Sequence, residues 1–227
     1  MELGRRSDFH MHSILSDGEL IASEIARRAD ALGHQAIAIT DHVDKTNLKF
    51  AVSGLVEAAR DINTLWEIRL LVGVELTHVP YQTIDELAKT AKRLGANIVV
   101  AHGETPAEPV LPGTNGAAVR CRYVDILAHP GMLSLDDARI AAEADKYAEI
   151  TAKPGHDKGN PHVAKVCAEV GLKMLVNTDF HAPRDFITQE RALEIASQAG
   201  MEPGLALKTI RDNPRDLLAH TELHCRR

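Results

Sequence analysis

The sequence predicts an α/β fold: a distorted TIM-like (βα)7 barrel with parallel strands and a site at the C-terminal ends of those strands. Three observations predict it. Short apolar runs alternate with segments of helical period along the chain, the pattern of repeated βα units and a parallel sheet. The 227 residues are 44% hydrophobic but only 4% aromatic, so the core is built mainly from Leu, Ile, Val and Ala, which suits helices packed on such a sheet. The first strand is not followed by the Gly-rich loop of a doubly wound dinucleotide-binding sheet, which favours a barrel over an open sheet.

The first strand begins at Asp8. A helix over 20–32 follows, with Ile21, Ile25, Ala29 and Leu32 as its apolar stripe and Gly33 as its stop. Residues 35–40 read as a buried strand ending at Asp41-His42. A helix over 50–65, a strand over 69–75, a helix over 83–94 closed by Gly95 and a strand over 97–102 come next. Residues 104–116, rich in Pro and Gly, form a long loop into a short helix near Ala117. After a strand over 124–129, Ser134 caps a helix to about Asp145. A strand over 147–151 precedes a helix that starts at Asn160-Pro161 and runs to Val170. The last strand covers 173–179, with helices over 188–199 and 204–219 behind it. No linker or break in composition divides the chain, so residues 1–227 are expected to form one barrel domain.

The formal charge of −6, with no run of Lys or Arg, argues against a dedicated nucleic-acid binder. The three cysteines, Cys121, Cys167 and Cys225, are odd in number and form no C-x-x-C pair, which points to a reduced, cytoplasmic setting. No apolar run is long enough to span a bilayer, and no signal-peptide core precedes the first strand, so no membrane association is expected.

The chemistry lies in what ends the strands. His10 and His12 are two apart, so a strand presents both imidazoles on one side. His42, Glu75, His102, His129, Glu149 and the pair Asp179/His181 follow at steps of 20 to 33 residues, about one βα unit each. All are expected at the C-terminal ends of their strands, the face where barrel enzymes place their sites. Imidazole and carboxylate donors suit Zn, Mn or Fe, and Mg less well. Eight or nine candidate ligands exceed the needs of one tetrahedral ion, so two or three divalent metal ions and a bridging carboxylate are expected. Such a pair of ions holds a hydroxide and stabilises the leaving oxygen of a phosphate ester.

Asp8-x-His10-x-His12-Ser13 with Ser16-Asp17-Gly18, Thr40-Asp41-His42, Gly73-Val74-Glu75, Ala101-His102-Gly103, Leu127-Ala128-His129-Pro130 and Asn177-Thr178-Asp179-x-His181 together resemble the PHP (polymerase and histidinol phosphatase) family. The resemblance runs from about residue 7 to 185. It implies a (βα)7 barrel that holds two or three metal ions and cleaves phosphoester bonds, with no covalent protein nucleophile. It assigns His10, His12, Glu75 and Asp179 to a first ion and Glu75, His102 and His129 to a second. It assigns Asp17, His42 and His181 to a third. Some members of the family carry His where this chain has Asp17. Glu149 is either a group behind the ligands or a residue of the barrel interior.

A phosphate needs further donors. Thr114 and Asn115 open a helix on the expected active face, where backbone N–H groups can take an anion. Lys153 and His156 lie in the loop after the sixth strand, and Arg184 lies just past His181, with a guanidinium suited to phosphate oxygens. Lys45 and His78 are weaker candidates. The expected function is hydrolysis of a small phosphomonoester, of which histidinol phosphate is the family's eponymous example. A nuclease-like phosphodiesterase and a non-catalytic metal-binding regulator are the alternatives. The chain lacks a basic track and an aromatic stacking platform, so nucleic acid is the less expected partner.

Overall fold

Strands and helices alternate as the periodicity predicts, and the strands line up in parallel as a nearly closed seven-stranded barrel wrapped by helices. The computed structural model describes residues 2–225, and side chains for residues 2–221. The side chains of His224 and Cys225 lie outside the described residues.

The chain runs β1 (Ser7–Met11), α1 (Ala22–Ala31), β2 (Ala36–Ile39), β3 (His42–Val43), α2 (Leu48–Leu65), β4 (Arg69–Leu76) and α3 (Ile84–Leu94). It continues through β5 (Ile98–His102), α4 (Thr114–Arg120), β6 (Ile126–Ala128), α5 (Leu135–Glu143), β7 (Tyr147–Thr151), α6 (Asn160–Val170) and β8 (Lys173–Asn177). Three helices close it: α7 (Gln189–Gln198), α8 (Pro203–Leu207) and α9 (Asn213–Cys225). Ser134 caps α5 as expected, its hydroxyl accepting from Asp137 N–H at 3.1 Å. Gly95 and Gly171 end α3 and α6 in the left-handed conformation that glycine adopts without strain.

The structure departs from the sequence expectation in three ways. The second strand is broken into β2 and β3 at Thr40-Asp41; β2 and β3 both pair with β4, so they occupy one barrel position. The break sets His42 directly opposite Glu75. β6 and β8 are shorter than expected, with Val124 and His129 outside the first and Asp179 outside the second. The last helix is longer than expected: α8 and α9 are joined by one π-helical turn over Lys208–Asp212.

Strand alternation sorts side chains into two shells. Ile37, Leu70, Val99, Leu127, Ile150 and Val176 face the helices. Phe9, Leu71, Ile98, Ile126, Tyr147 and Leu175 fill the barrel interior, joined by Leu217 of α9. Further along the strands the interior residues turn polar, with Glu75, His102, Glu149, Thr151 and Asn177 all buried. Gly73 of β4 has to be glycine on steric grounds, because a Cβ there would come 2.5 Å from Thr40 Cγ2.

Closure between β1 and β8 is not a ladder. Among the described residues a single bridge, from Met11 to Phe180 just past the end of β8, spans this seam. Side chains carry the rest: Arg6 binds Val176 O and Asp8, Phe9 N–H donates to Asn177 Oδ1, and Thr178 N–H donates to Asp8 Oδ1. Among the described residues no helix is long and apolar enough to cross a membrane.

Candidate metal centre

The strand ends converge on one polar cavity at the C-terminal mouth of the barrel. His10 is in β1 and His12 just past it, with ring centroids 5.0 Å apart. The register of β1 against β2 shifts between Asp8 and Met11, so simple alternation does not describe this strand. Glu75, buried near the end of β4, lies between the imidazoles. Its Oε1 is 3.3 Å from His10 Nε2, 3.1 Å from His102 Nδ1 and 3.7 Å from His129 Nε2. Its Oε2 meets His42 Nδ1 and accepts from the Thr77 hydroxyl at 2.9 Å. Asp179 brings Oδ1 to 3.1 Å from His12 Nε2 and 3.7 Å from His10 Nε2. At the rim, Asp17 Oδ1 is 3.5 Å from His42 Nε2 and 3.3 Å from His181 Nε2.

Backbone features hold these groups in place. Asp41 accepts from Ser13 N–H, the Ser13 hydroxyl and the Ser16 hydroxyl at 2.6–2.7 Å, which pins the loop that carries Asp17. Gly18 closes that loop onto β1, where a Cβ would come 2.2 Å from His12 O. Of the four non-glycine residues at positive φ among the described residues, three are at this mouth: His78, His129 and Asp179. Such strain persists where the surrounding structure over-determines it, and it gathers at functional sites.

The donor set fits divalent metal ions. Buried atoms without a hydrogen-bond partner include His10 Nε2, His12 Nδ1 and His129 Nδ1. Leaving such atoms unsatisfied costs roughly 1–3 kcal/mol each, so their concentration in one cavity points to a bound group. Sets that bring one donor atom per residue within 4.8 Å of each other include His12, Asp17, His42 and His181; His10, His12 and Asp179; Glu75, His102 and His129; His10, His129 and Glu149; and, at the rim, His78, His102 and Glu108.

Electrostatics divides the imidazoles. Burial pushes His12 down to about 3 and His129 down to about 4, against the pull of nearby carboxylates, so both are neutral with lone pairs available. Burial also opposes the charge on His102, but Glu75 and Glu108 outweigh it and raise His102 to about 10. Burial would raise Glu75 and Asp179 too, yet the surrounding imidazoles hold both well below the carboxylate range. For Asp17, the His181 hydrogen bond and the His42 charge overcome burial and lower it to about 2.

The nine residues carried over by resemblance, His10, His12, Asp17, His42, Glu75, His102, His129, Asp179 and His181, thus lie around one cavity. The expected substrate contacts divide. Lys153 Nζ is at the site, 2.8 Å from His181 Nδ1 and donating to Asp179 O at 3.1 Å. The His156 ring packs 4.5 Å from the His129 ring. Arg184 is 75% exposed and pairs with Glu19. Asn115 is buried and engaged structurally: its side chain binds Glu104 N–H and Pro130 O, and its N–H, with that of Gly113, donates to Glu104 Oε1. The Thr114 hydroxyl donates to Leu111 O. The α4 N-terminus is therefore already occupied by a carboxylate of its own chain. Lys45 pairs with Glu86 on the surface.

Glu149 departs from the expectation in depth. It sits in the middle of β7, below the strand end, with Oε2 2.7 Å from His10 Nδ1. Sequence reasoning missed Glu108 and Thr77. Glu108, on the Pro- and Gly-rich loop, reaches His78 at 2.9 Å, His102 at 3.1 Å and His156 at 3.4 Å. A residue mid-loop has no strand parity to announce it.

Comparison with known proteins agrees with this fold. The model of the PHP domain matches residues 8–156. An uncharacterised protein of Methanocaldococcus jannaschii is 46% identical over 214 residues, 94% of this chain and 98% of that one. A probable phosphatase of Caldanaerobacter subterraneus is 28% identical over 246 residues, covering 96% of this chain and 92% of its own. Among solved structures, a chain of archaeal ribonuclease P with mature tRNA superposes with a TM-score of 0.74 at 17% identity, covering 98% of this chain and 94% of that one. At that identity the likeness is one of fold.

Proposed function

The chain belongs to the PHP domain family, and from that premise we propose that it is a metal-dependent phosphoesterase acting on a small phosphomonoester. The observation that carries this reading is the cavity itself: nine imidazole and carboxylate side chains from six strand ends, with Glu75 within 4.0 Å of His10, His12, His42, His102 and His129. A carboxylate so placed suits the bridging role. His10, His12, Glu75 and Asp179 would hold one ion; Glu75, His102 and His129 a second; Asp17, His42 and His181 a third. Zn, Mn or Fe suits these donors. Bound ions of this kind supply an acidified water and neutralise charge during in-line displacement at phosphorus.

The chain's own residues would do the rest. Lys153 has no carboxylate partner among the described residues, so its ammonium group is available to a phosphate oxygen beside His181. His156, buried against His129 and 3.4 Å from Glu108, is placed to hand a proton to the leaving oxygen. The strand-end carboxylates Glu75 and Asp179, held ionised, keep the imidazole nitrogens turned inward.

The test is phosphate release. Protein loaded with Zn²⁺, Mn²⁺ or Fe²⁺ should liberate phosphate from members of a broad phosphomonoester panel, and chelation should abolish it. The probable phosphatase among its relatives favours that outcome. Labelled single-stranded DNA and tRNA belong in the same assay, because the fold likeness is to a chain of a ribonuclease P assembly. Cleavage of nucleic acid with no release from the panel would replace the phosphatase reading by a phosphodiesterase one. Folded, loaded protein inactive on both would refute it.

A further inference from the structure

Glu149 is fully buried in the barrel interior, on the inward face of β7 with Tyr147 and Thr151. Its Oε2 lies 2.7 Å from His10 Nδ1 and accepts from Asn177 Nδ2 at 3.1 Å. Its Oε1 has no partner. On the other side of the same imidazole, His10 Nε2 faces Glu75 at 3.3 Å and Asp179 at 3.7 Å. The order along this line is carboxylate, imidazole, then the acidic face of the cavity.

We propose that Glu149 is a positioning residue of the metal centre, accepting the Nδ1 proton of His10 so that the Nε2 lone pair is fixed toward the ion held with His12, Glu75 and Asp179. The inference rests on the metal-centre reading above. A carboxylate behind a ligating imidazole fixes its tautomer and ring orientation and raises its basicity. Two other roles fit less well. As a ligand through Oε2, Glu149 would have to share an ion with His10 Nδ1, yet 2.7 Å is a hydrogen-bond distance, shorter than the roughly 3 Å or more between two donors each about 2.0–2.2 Å from one Zn²⁺. As a purely structural pair, a buried carboxylate and imidazole gain little over an apolar pair of the same volume, and the orphaned Oε1 adds cost.

The other proposed ligands make a ranking. His42 Nδ1 is 2.7 Å from the Thr77 hydroxyl, and His181 Nδ1 is 2.8 Å from the Asp179 carbonyl. His42 Nδ1 also meets Glu75 Oε2, but that carboxylate is shared among five imidazoles, and His181 Nδ1 also faces the Lys153 ammonium, so neither has a buried carboxylate to itself as His10 does. The ion on His10 is therefore the tightest of the set, and the one on His42 and His181, at the exposed rim, is the first to leave.

The experiment compares wild type with Glu149→Gln, which keeps the size of the side chain and removes its charge. Zn²⁺ is titrated into chelator-stripped protein against a competing chromophoric chelator, and the metal retained after dialysis is counted. The metal-free variant should melt close to wild type, while its tightest binding step weakens about 10- to 100-fold and the weaker steps change less. Should the variant fail to fold, ¹⁵N NMR of zinc-loaded wild type gives the answer: His10 should be metallated at Nε2 and carry a proton on Nδ1. An unchanged tightest step, or metallation at Nδ1, overturns the role of Glu149 alone. Wild-type protein that takes up no Zn²⁺ overturns the metal-centre reading together with it.

Discussion

Glu75 is the side chain on which the cavity is organised, since five imidazoles surround one carboxylate and, among the described residues, only Thr77 donates a hydroxyl to it. Glu75→Gln keeps the shape but removes the charge that would bridge two ions. Its kcat/KM on any ester found in the panel should fall by more than the roughly 10- to 100-fold typical of residues that only orient a ligand, with loss of bound metal measured in the same preparation. Far from the site, His34 tests a different residue-scale effect. Burial, reinforced by the Arg6 charge, pushes its imidazole from the usual 6.5 down to about 3. The unfolded chain takes up that proton near pH 6.5 and the folded chain only near pH 3. Between those values acid favours unfolding, by up to roughly 1.4 kcal/mol per pH unit. Urea midpoints at pH 7 and pH 5 should therefore drop further for wild type than for His34→Leu; equal drops would mean that His34 is not the group responsible.

At the scale of elements, the β1–α1 loop depends on Asp41. Asp41→Ala leaves Ser13 and Ser16 without their acceptor and should lower stability by about 1–3 kcal/mol in urea unfolding. It should also release the rim ion proposed on Asp17, His42 and His181, with the deeper ions retained in a metal count. The sequence carries the strand–helix order and the placement of eight of the nine donors, because a period of about one βα unit survives every local irregularity; Asp17, in the loop after β1, is assigned only by the family resemblance. It does not carry the break between β2 and β3, where Thr40 N–H turns back to Met11 O at 2.7 Å. Nor does it show that α8 and α9 are one interrupted helix, since a π turn keeps the apolar pattern helical. Side chains in loops were the least legible. Glu104 takes the N–H groups at the start of α4 that Thr114 and Asn115 were expected to offer, and Arg184 turns to Glu19. Both outcomes depend on loop paths that bring residues far apart in sequence together, and no local periodicity encodes them.

For the molecule as a whole, binding at this centre is coupled to protons. His102 is held near 10 and His10 well above the usual range when only carboxylates neutralise them, and each must shed a proton to become a ligand. Metal affinity should therefore rise with pH across the neutral range, with proton release measured in weakly buffered titrations; pH-independent uptake would contradict this. The seam between β1 and β8 gives the coupling a mechanical side. Among the described residues one bridge, from β1 to Phe180 just past β8, spans that seam, while His10 and His12 stand on one bank and Asp179 on the other, 3.1 Å from His12. An ion gripped from both banks acts as a rivet through the weakest joint of the hoop. The amides of His12 and Phe180, which bond across that joint, should exchange with deuterium early in stripped protein and late in loaded protein, while amides between β4 and β5 change little. Losing the metal would then unclasp the ring before it unfolds any strand.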